Sequence, residues 1–141
     1  MYLTKNYSLN EMCRSNTARV MGLPNVPNAE QIKNLQQLCE NVLQPLRDYL
    51  GEPVVINSGF RSQAVNIAVG GAKNSQHTKG EAADIKCKDF LYAKKIYTWI
   101  MNNLQFDQLI LESKAGRSYW VHVSFRATGE NRQQAFTIHN L

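Results

Sequence analysis

The longest amphipathic pattern in the chain lies between Asn28 and Leu50. Apolar residues recur there at the three-and-four spacing of one helix face. They are Ile32, Leu35, Leu38, Cys39, Val42, Leu43, Leu46 and Leu50. Asn28 and Gln31 have the spacing of a capping box, which predicts that the helix starts there. Because Pro45 lacks the N–H that a helix interior uses, we expect a kink or an early end at that residue. This helix is expected to serve the core alone.

Three other capping residues predict shorter helices. Ser8, with Glu11 three residues later, indicates a first short helix near the N-terminus. Ser62 is expected to begin a helix that ends at Gly70 and Gly71. Asp89 can cap an amphipathic helix whose apolar residues are Phe90, Ala93, Ile96, Tyr97, Ile100 and Leu104.

Strands are predicted mainly in the second half of the chain. The clearest alternation covers residues 119–125, with Trp120 and His122 on one face and valines on the other. Further strands are expected at residues 54–56, 82–87, 107–112 and 135–138, the last as an edge strand. Helices first and strands later indicate an α+β fold.

Length and composition indicate one globular domain covering residues 1–141. Of the 141 residues, 43% are hydrophobic, and no apolar run approaches the roughly 20 residues that a membrane span needs. The N-terminus lacks a basic region followed by an apolar stretch, so we expect no secretory signal. Cys13, Cys39 and Cys87 are odd in number and widely spaced, which favours buried thiols over a disulfide framework.

The net charge of +5 favours anionic partners, and its sign does not choose among nucleic acid, acidic lipid and anionic wall polymer. The basic residues are scattered, and no basic stripe interleaved with aromatics is evident. A nucleic-acid-binding domain is therefore the lesser alternative, and no nucleic acid is expected as a partner.

Two histidines and one aspartate suggest a metal site. His77 and Asp84 are seven residues apart, with Gly80 between them where a sharp turn needs a residue without a Cβ. His122 lies in the clearest alternating strand, among Val121, Val123 and Phe125, although a half-buried histidine with one hydrogen bond would also explain it. Histidine nitrogen and aspartate oxygen are ligands that zinc accepts, and three such ligands leave an open position in catalytic sites.

These residues fall in a pattern that resembles the zinc D-alanyl-D-alanine carboxypeptidase family, which includes phage endolysin peptidases and shares its fold with the hedgehog signalling domain. The matching segments are Ser75-x-His77-x-x-Gly80-x-Ala82-x-Asp84, Trp120-x-His122-x-Ser124 and Ser58-Gly59-Phe60-Arg61-Ser62. The resemblance implies a hedgehog/DD-peptidase-like domain, with a small, mostly antiparallel sheet and flanking helices. It also implies that His77, Asp84 and His122 bind Zn²⁺.

The resemblance also assigns residues to substrate. Arg61 inherits the role of binding a substrate carboxylate, for which a guanidinium offers a bidentate fork. Ser75 is expected to contact substrate, or equally to cap the turn that holds His77. Trp120 is expected to line the cleft, although an aromatic residue in a strand is more often part of the core.

The proton-transferring carboxylate departs from the family pattern. Several relatives carry an acidic residue three positions before the last histidine, where this chain has Tyr119. Glu112, ten residues before His122, is the best substitute and would reach the site across a hairpin; an exposed turn glutamate is the alternative. Glu81 is a poorer candidate, and His139 matches no motif and is expected at the surface.

The implied function is a zinc peptidase that hydrolyses stem or cross-bridge peptides of peptidoglycan, of phage or prophage origin. The alternative is a catalytically inactive zinc-binding recognition module with the same fold. The expected protein is made in the cytoplasm without a signal peptide and acts at the cell wall or periplasm. The sequence carries no indication of oligomeric state.

Overall fold

The computed structural model describes residues 1–141 and contains six α-helices and five strands. The helices are α1 (Leu9–Met12), α2 (Asn16–Met21), α3 (Ala29–Leu38), α4 (Gln44–Leu50), α5 (Gln63–Ala68) and α6 (Phe90–Asn103). The strands are β1 (Ile56–Ser58), β2 (Ala82–Cys87), β3 (Gln108–Lys114), β4 (Ser118–Ser124) and β5 (Gln134–Asn140). The predicted α+β class is confirmed.

The helices begin where the capping residues predict. Ser8, Asn28, Ser62 and Asp89 each accept a hydrogen bond from the backbone N–H three residues later. At α3 the box is complete, because the Gln31 side chain also accepts from the Asn28 N–H. These local hydrogen bonds satisfy donors that a helix N-terminus otherwise leaves unpaired.

Pro45 does not end the long helical region. The chain passes from α3 into a π-helical turn, Cys39–Leu43, and continues as α4 through Leu50. The Gln44 N–H donates to the Cys39 carbonyl, five residues back. Pro45 therefore lies in the first turn of α4, where its missing N–H is tolerated, and the helix changes type without ending.

The sheet is five-stranded and mixed, in the order β1-β2-β4-β3-β5. Three pairings are antiparallel, whereas β5 pairs with β3 in parallel. The strand predicted at residues 54–56 begins later, since regular pairing starts at Ile56 opposite Ile85. Val54 is buried and Val55 is half exposed at this edge of the sheet.

One sheet face packs on the helices and the other remains polar. The packed face includes Ile85, Leu109, Leu111, Val121 and Val123, all within a core of 23 buried residues. Helix α6 covers this face through Ala93, Ile96 and Ile100, whereas Phe90, predicted on the same apolar face, is 41% exposed. The alternate positions of the strands carry Asp84, His122 and Glu112, so the candidate site lies on the polar face.

Two further predictions concern membranes and thiols. None of the helices has the length and apolar character required to cross a bilayer. All three cysteines are free; Cys39 and Cys87 are buried, and Cys13 is half-buried. The prediction of buried thiols is therefore confirmed for two of the three.

Candidate metal centre

A single 3-10 turn, Gln76–Lys79, holds His77. Ser75 caps the turn by accepting from the His77 N–H, and the Thr78 hydroxyl donates to the Ser75 carbonyl. Gly80 ends the turn with φ +75°, the left-handed conformation that the sequence predicts for it. A Cβ at Gly80 would lie 2.5 Å from the Gln31 carbonyl oxygen, so the close approach of α3 also requires glycine.

Helix α3 fixes the 3-10 turn from outside. The Gln31 side chain donates to the Thr78 carbonyl at 3.0 Å, and the Asn34 side chain donates to the Lys79 carbonyl at 2.9 Å. The amide that completes the α3 capping box thus also restrains the turn that carries His77.

The other two candidate ligands face each other across neighbouring strands. Asp84 on β2 is directly opposite His122 on β4. The His122 Nδ1 atom lies 2.9 Å from Asp84 Oδ1, and the His77 Nε2 atom lies 3.4 Å from Asp84 Oδ2. Two strands and the preceding turn therefore bring His122 together with His77 and Asp84, which are 38 or more residues away in the chain.

The arrangement suits a metal ion. One ligand atom from each of His77, Asp84 and His122 lies within 4.8 Å of the others. These three residues are called the metal group below. The His77 Nδ1 atom is 2.7 Å from the Gly59 carbonyl, which can only accept, so the proton sits on Nδ1 and leaves Nε2 free as a ligand. Two imidazoles and a carboxylate are a donor set that zinc accepts.

The electrostatics of Asp84 favour its ionised form. Burial opposes ionisation, but hydrogen bonds with His122 and His77, and their charges, hold the pKa of Asp84 well below its ordinary value. The carboxylate is thus negative across the neutral pH range, as a metal ligand must be.

Arg61 contacts the same carboxylate. Its Nη2 lies 3.5 Å from Asp84 Oδ2, its Nε donates to the Ser58 hydroxyl at 3.0 Å, and its Nη1 donates to Asn66 Oδ1 at 3.2 Å. Only 17% of the side chain is exposed. The structure brings Arg61 to the metal group, and its contact with substrate stays a prediction.

Asn66 is a residue that the sequence did not single out. It is buried, accepts from Arg61, and donates through its side-chain N–H to the Ala72 carbonyl at 2.8 Å. Asn66 thereby connects Arg61 to the loop that precedes the 3-10 turn. Its position inside α5 resembles that of any polar helix residue, so no sequence signal marked it.

Glu112 and Trp120 lie on the same sheet face as the metal group. They are directly opposite each other on β3 and β4, and the Trp120 Nε1–H donates to Glu112 Oε2 at 3.2 Å. Glu112 is diagonal to His122, a relation that places side chains roughly 7–8 Å apart or less. The alternative of a turn glutamate is wrong, because Glu112 is within β3 and only partly exposed.

The surroundings of Glu112 raise its pKa. Burial and the negative charge of Asp84 both raise it above the ordinary glutamate value, and His122, the Trp120 hydrogen bond and His77 offset part of this. A carboxyl group with a raised pKa is better able to take up and return a proton near neutral pH.

A cleft of about 430 Å³ lies beside the metal group. Ser75 and His122 both line it, so the structure brings two of the predicted site residues to one cavity. Trp120 is outside the hydrophobic core and is not among the residues that line this cleft. Of the two predicted roles for Ser75, capping is observed and substrate contact stays a prediction.

An ion-pair cluster of Asp107 with two arginines that line the cleft is a second feature that the sequence does not predict. Asp107, expected as the first residue of a strand, is fully buried just before β3. Arg132 donates from Nε and Nη2 to its two oxygens at 3.0 and 2.7 Å, and Arg126 Nε lies 3.4 Å from Oδ2. Residues 126–134 have no periodic pattern that would indicate these contacts.

His139 lies away from the metal group. It is exposed on β5, as expected, and its Nδ1 is 2.8 Å from the Ser113 hydroxyl. Tyr119 packs against the core, on the sheet face opposite to His122.

Two comparisons with known proteins indicate the family of the chain. The family model described as Peptidase M15 matches residues 5–124 of the chain. The zinc D-Ala-D-Ala carboxypeptidase of Streptomyces albus G is 50% identical over 44 residues. That alignment covers 30% of this chain and 17% of the relative, so the chain matches only a small part of the relative's length.

Proposed function

Because the chain belongs to the peptidase M15 family, we propose that it is a zinc peptidase that hydrolyses peptide bonds in peptidoglycan. The observation that carries this proposal is the convergence of His77, Asp84 and His122 on one point of the polar sheet face. The name of the Streptomyces relative, zinc D-Ala-D-Ala carboxypeptidase, supports both zinc and a D-Ala-D-Ala peptide as substrate.

The proposed ligands are His77 through Nε2, Asp84 through its carboxylate and His122 through Nδ1, the atom that faces Asp84. When bound, zinc supplies Lewis-acid activation of the scissile carbonyl and of water. The residues around the site hold the ligands in the correct state, since Gly59 fixes the His77 tautomer and Arg61 contacts Asp84.

Glu112 is proposed as the base that takes a proton from the attacking water and delivers it to the leaving amine. Its raised pKa and its place beside His122 on the same sheet face support this role. Trp120 donates to Oε2 and so orients the carboxylate. A carboxylate at position 119 would face the core instead, since that position is on the opposite side of β4.

Substrate contacts are proposed for Arg61, Ser75 and Trp120. Arg61 would engage a carboxylate of the peptide, Ser75 lines the cleft beside His122, and Trp120 flanks Glu112. We further propose a hedgehog/DD-peptidase-like arrangement of residues 1–141 as one domain, a phage or prophage origin, and action at the cell wall. These last points rest on the family resemblance.

The second candidate function is a recognition module that binds zinc without catalysis. Tyr119 in place of an acidic residue suggests it from the sequence, but position 119 faces the core in the structure, so activity has to separate the two candidates. The test is incubation of the zinc-loaded protein with purified peptidoglycan, followed by mass spectrometry of the released fragments. We expect peptide cleavage, a loss of roughly 10²–10⁴-fold in Glu112→Gln with zinc retained, and loss of zinc in His77→Ala.

The outcomes separate the candidates. Zinc binding without any cleavage would favour the recognition module. Undiminished cleavage by Glu112→Gln would assign the proton transfer to another group.

A further inference from the structure

The cleft beside His122 is positively charged. Three of its lining residues are cationic, namely Lys79, Arg126 and Arg132, and none is acidic. The neighbouring cleft of about 540 Å³ differs, because it contains Glu30 and Glu81 together with lysines. An excess of one charge sign in a cleft concentrates ligands of the opposite sign.

Asp107 can neutralise only one of the two arginines. Arg132 occupies both carboxylate oxygens, whereas Arg126 approaches only through Nε at 3.4 Å and its Nη groups make no hydrogen bond. The Lys79 ammonium forms no ion pair within 4 Å. Arg126 and Lys79 therefore present free N–H donors to the cleft.

Arg61, for which contact with a substrate carboxylate is proposed above, lies outside this cleft. Its guanidinium bonds to Ser58 and Asn66 and contacts Asp84, and it does not line this cleft. Its side chain is 17% exposed, compared with 39% for Arg126. A carboxylate bound in the cleft itself would thus meet Lys79, Arg126 and Arg132, and not Arg61.

We propose that Lys79 and Arg126 form a carboxylate-binding subsite that makes the enzyme select acidic peptides. The proposal rests on the peptidase function proposed above and adds its substrate class. The carboxylate can belong to an acidic side chain or to the peptide C-terminus, since both present the same group to a cation.

Four synthetic peptides that differ only in these groups distinguish the two sources. They carry glutamate or glutamine at one position and a free or amidated C-terminus. For the zinc-loaded protein we expect kcat/KM to be about tenfold higher for the peptide with the recognised carboxylate. Lys79→Gln and Arg126→Gln should each reduce this preference, and the double variant should abolish it.

Lys33→Gln is the matched control, because Lys33 is an exposed lysine that lines only the neighbouring cleft. It should keep the preference. Zinc content should be unchanged in all variants. Lys79→Gln removes a side chain without ion-pair partners, so it remains informative even if Arg126→Gln disturbs the Asp107 cluster. Equal kcat/KM for all four peptides in the wild type would overturn the proposal.

Binding measured by calorimetry separates this proposal from the function on which it rests. If no peptide is hydrolysed, the peptidase assignment fails, and tighter binding of the acidic peptides to wild type than to the double variant would still support the subsite. Equal affinity of both proteins for every peptide would refute it.

Discussion

At the scale of single residues, Asp84 is the centre of the site. Three side chains surround its carboxylate: His77, His122 and Arg61. Hydrogen bonds with the two histidines hold the carboxylate ionised, and Arg61 places a positive charge beside it. We infer that the ligands are preorganised, which lowers the entropic cost of metal binding.

Gly80 is the residue whose substitution tests this preorganisation. Gly80→Ala would combine a left-handed backbone with a Cβ only 2.5 Å from the Gln31 carbonyl oxygen. We expect the free energy of unfolding to fall by about 3 kcal/mol, as the sum of conformational strain and overpacking. Zinc affinity should fall with it, because the turn that holds His77 must shift.

Gly70→Ala is the control for the conformational part of this loss. Gly70 has a similar φ of +72° but nothing within 4 Å of an added Cβ. It should cost about 1 kcal/mol in denaturant unfolding and leave zinc affinity unchanged. Equal losses in the two variants would show that α3 does not press on the turn.

The group of candidate ligands could be predicted from the sequence because two of them lie in one short motif with characteristic spacing, and the third lies in the most regular strand. Asn66 and Arg126 could not be predicted. Their roles come from contacts with residues distant in the chain, such as Arg61 and Asp107, and no local pattern reports such contacts. Glu112 could be predicted only in part. The sequence makes it a candidate base, but the strand register that places it opposite Trp120 is visible only in the structure.

At the scale of elements, Asp107 connects the start of β3 to the segment that leads into β5. Besides its ion pairs, its Oδ1 accepts from the Arg132 N–H at 3.0 Å, and its carbonyl accepts from the Gln134 N–H. The hydrogen bonds and charges of Arg132 and Arg126 outweigh burial and lower the pKa of Asp107. The polar segment is thereby held against the cleft.

Asp107→Asn should therefore destabilise the protein by about 2 kcal/mol at pH 7, the order of a charged hydrogen bond. Because the folded-state pKa is lowered, the stabilisation is present above the unfolded pKa of about 3.9 and is lost as the pH falls through the folded value. The difference between wild type and variant, measured by denaturant unfolding, should shrink below about pH 4.

Asp48→Asn, at an exposed position on α4, is the control for removing one negative charge from a basic protein. A difference for Asp107→Asn that persists unchanged below pH 4, or that equals the Asp48→Asn effect, would contradict the ion-pair explanation.

Helix starts were predictable because capping depends on residues three positions apart. The π-helical turn and the parallel β5 were not. Pro45 is accommodated by a change of helix type that has no sequence signature here, and the β5 partner is set by contacts with β3 across more than 25 residues. Strand alternation predicts a face, whereas pairing direction depends on the whole topology.

At the scale of the molecule, the two faces of the sheet have different roles. The apolar face packs on the helices and stabilises the fold, while the polar face carries the metal group and Glu112. Substitutions on the polar face can therefore change chemistry without opening the core. The fold itself is expected to persist without metal.

Metal removal tests this separation. With zinc at a hundredfold excess over Kd, binding should stabilise the wild type by about 2.7 kcal/mol, and a chelator should lower Tm by roughly 10 °C while unfolding stays cooperative. His77→Ala should show no response to the chelator. Complete unfolding of the wild type on chelation would show that the fold depends on the ion.

The hydrogen bond from His77 to the Gly59 carbonyl has an evolutionary consequence. Its acceptor is a main-chain carbonyl, so no exchange of a partner side chain can remove that acceptor, whereas a substitution of Arg61 would remove its contact with Asp84. Replacing Gly59 itself is blocked, because an added Cβ would overlap the Met12 carbonyl oxygen. Single substitutions during evolution can remove the side-chain contacts of Asp84, whereas the acceptor that orients His77 persists as long as the backbone keeps its fold.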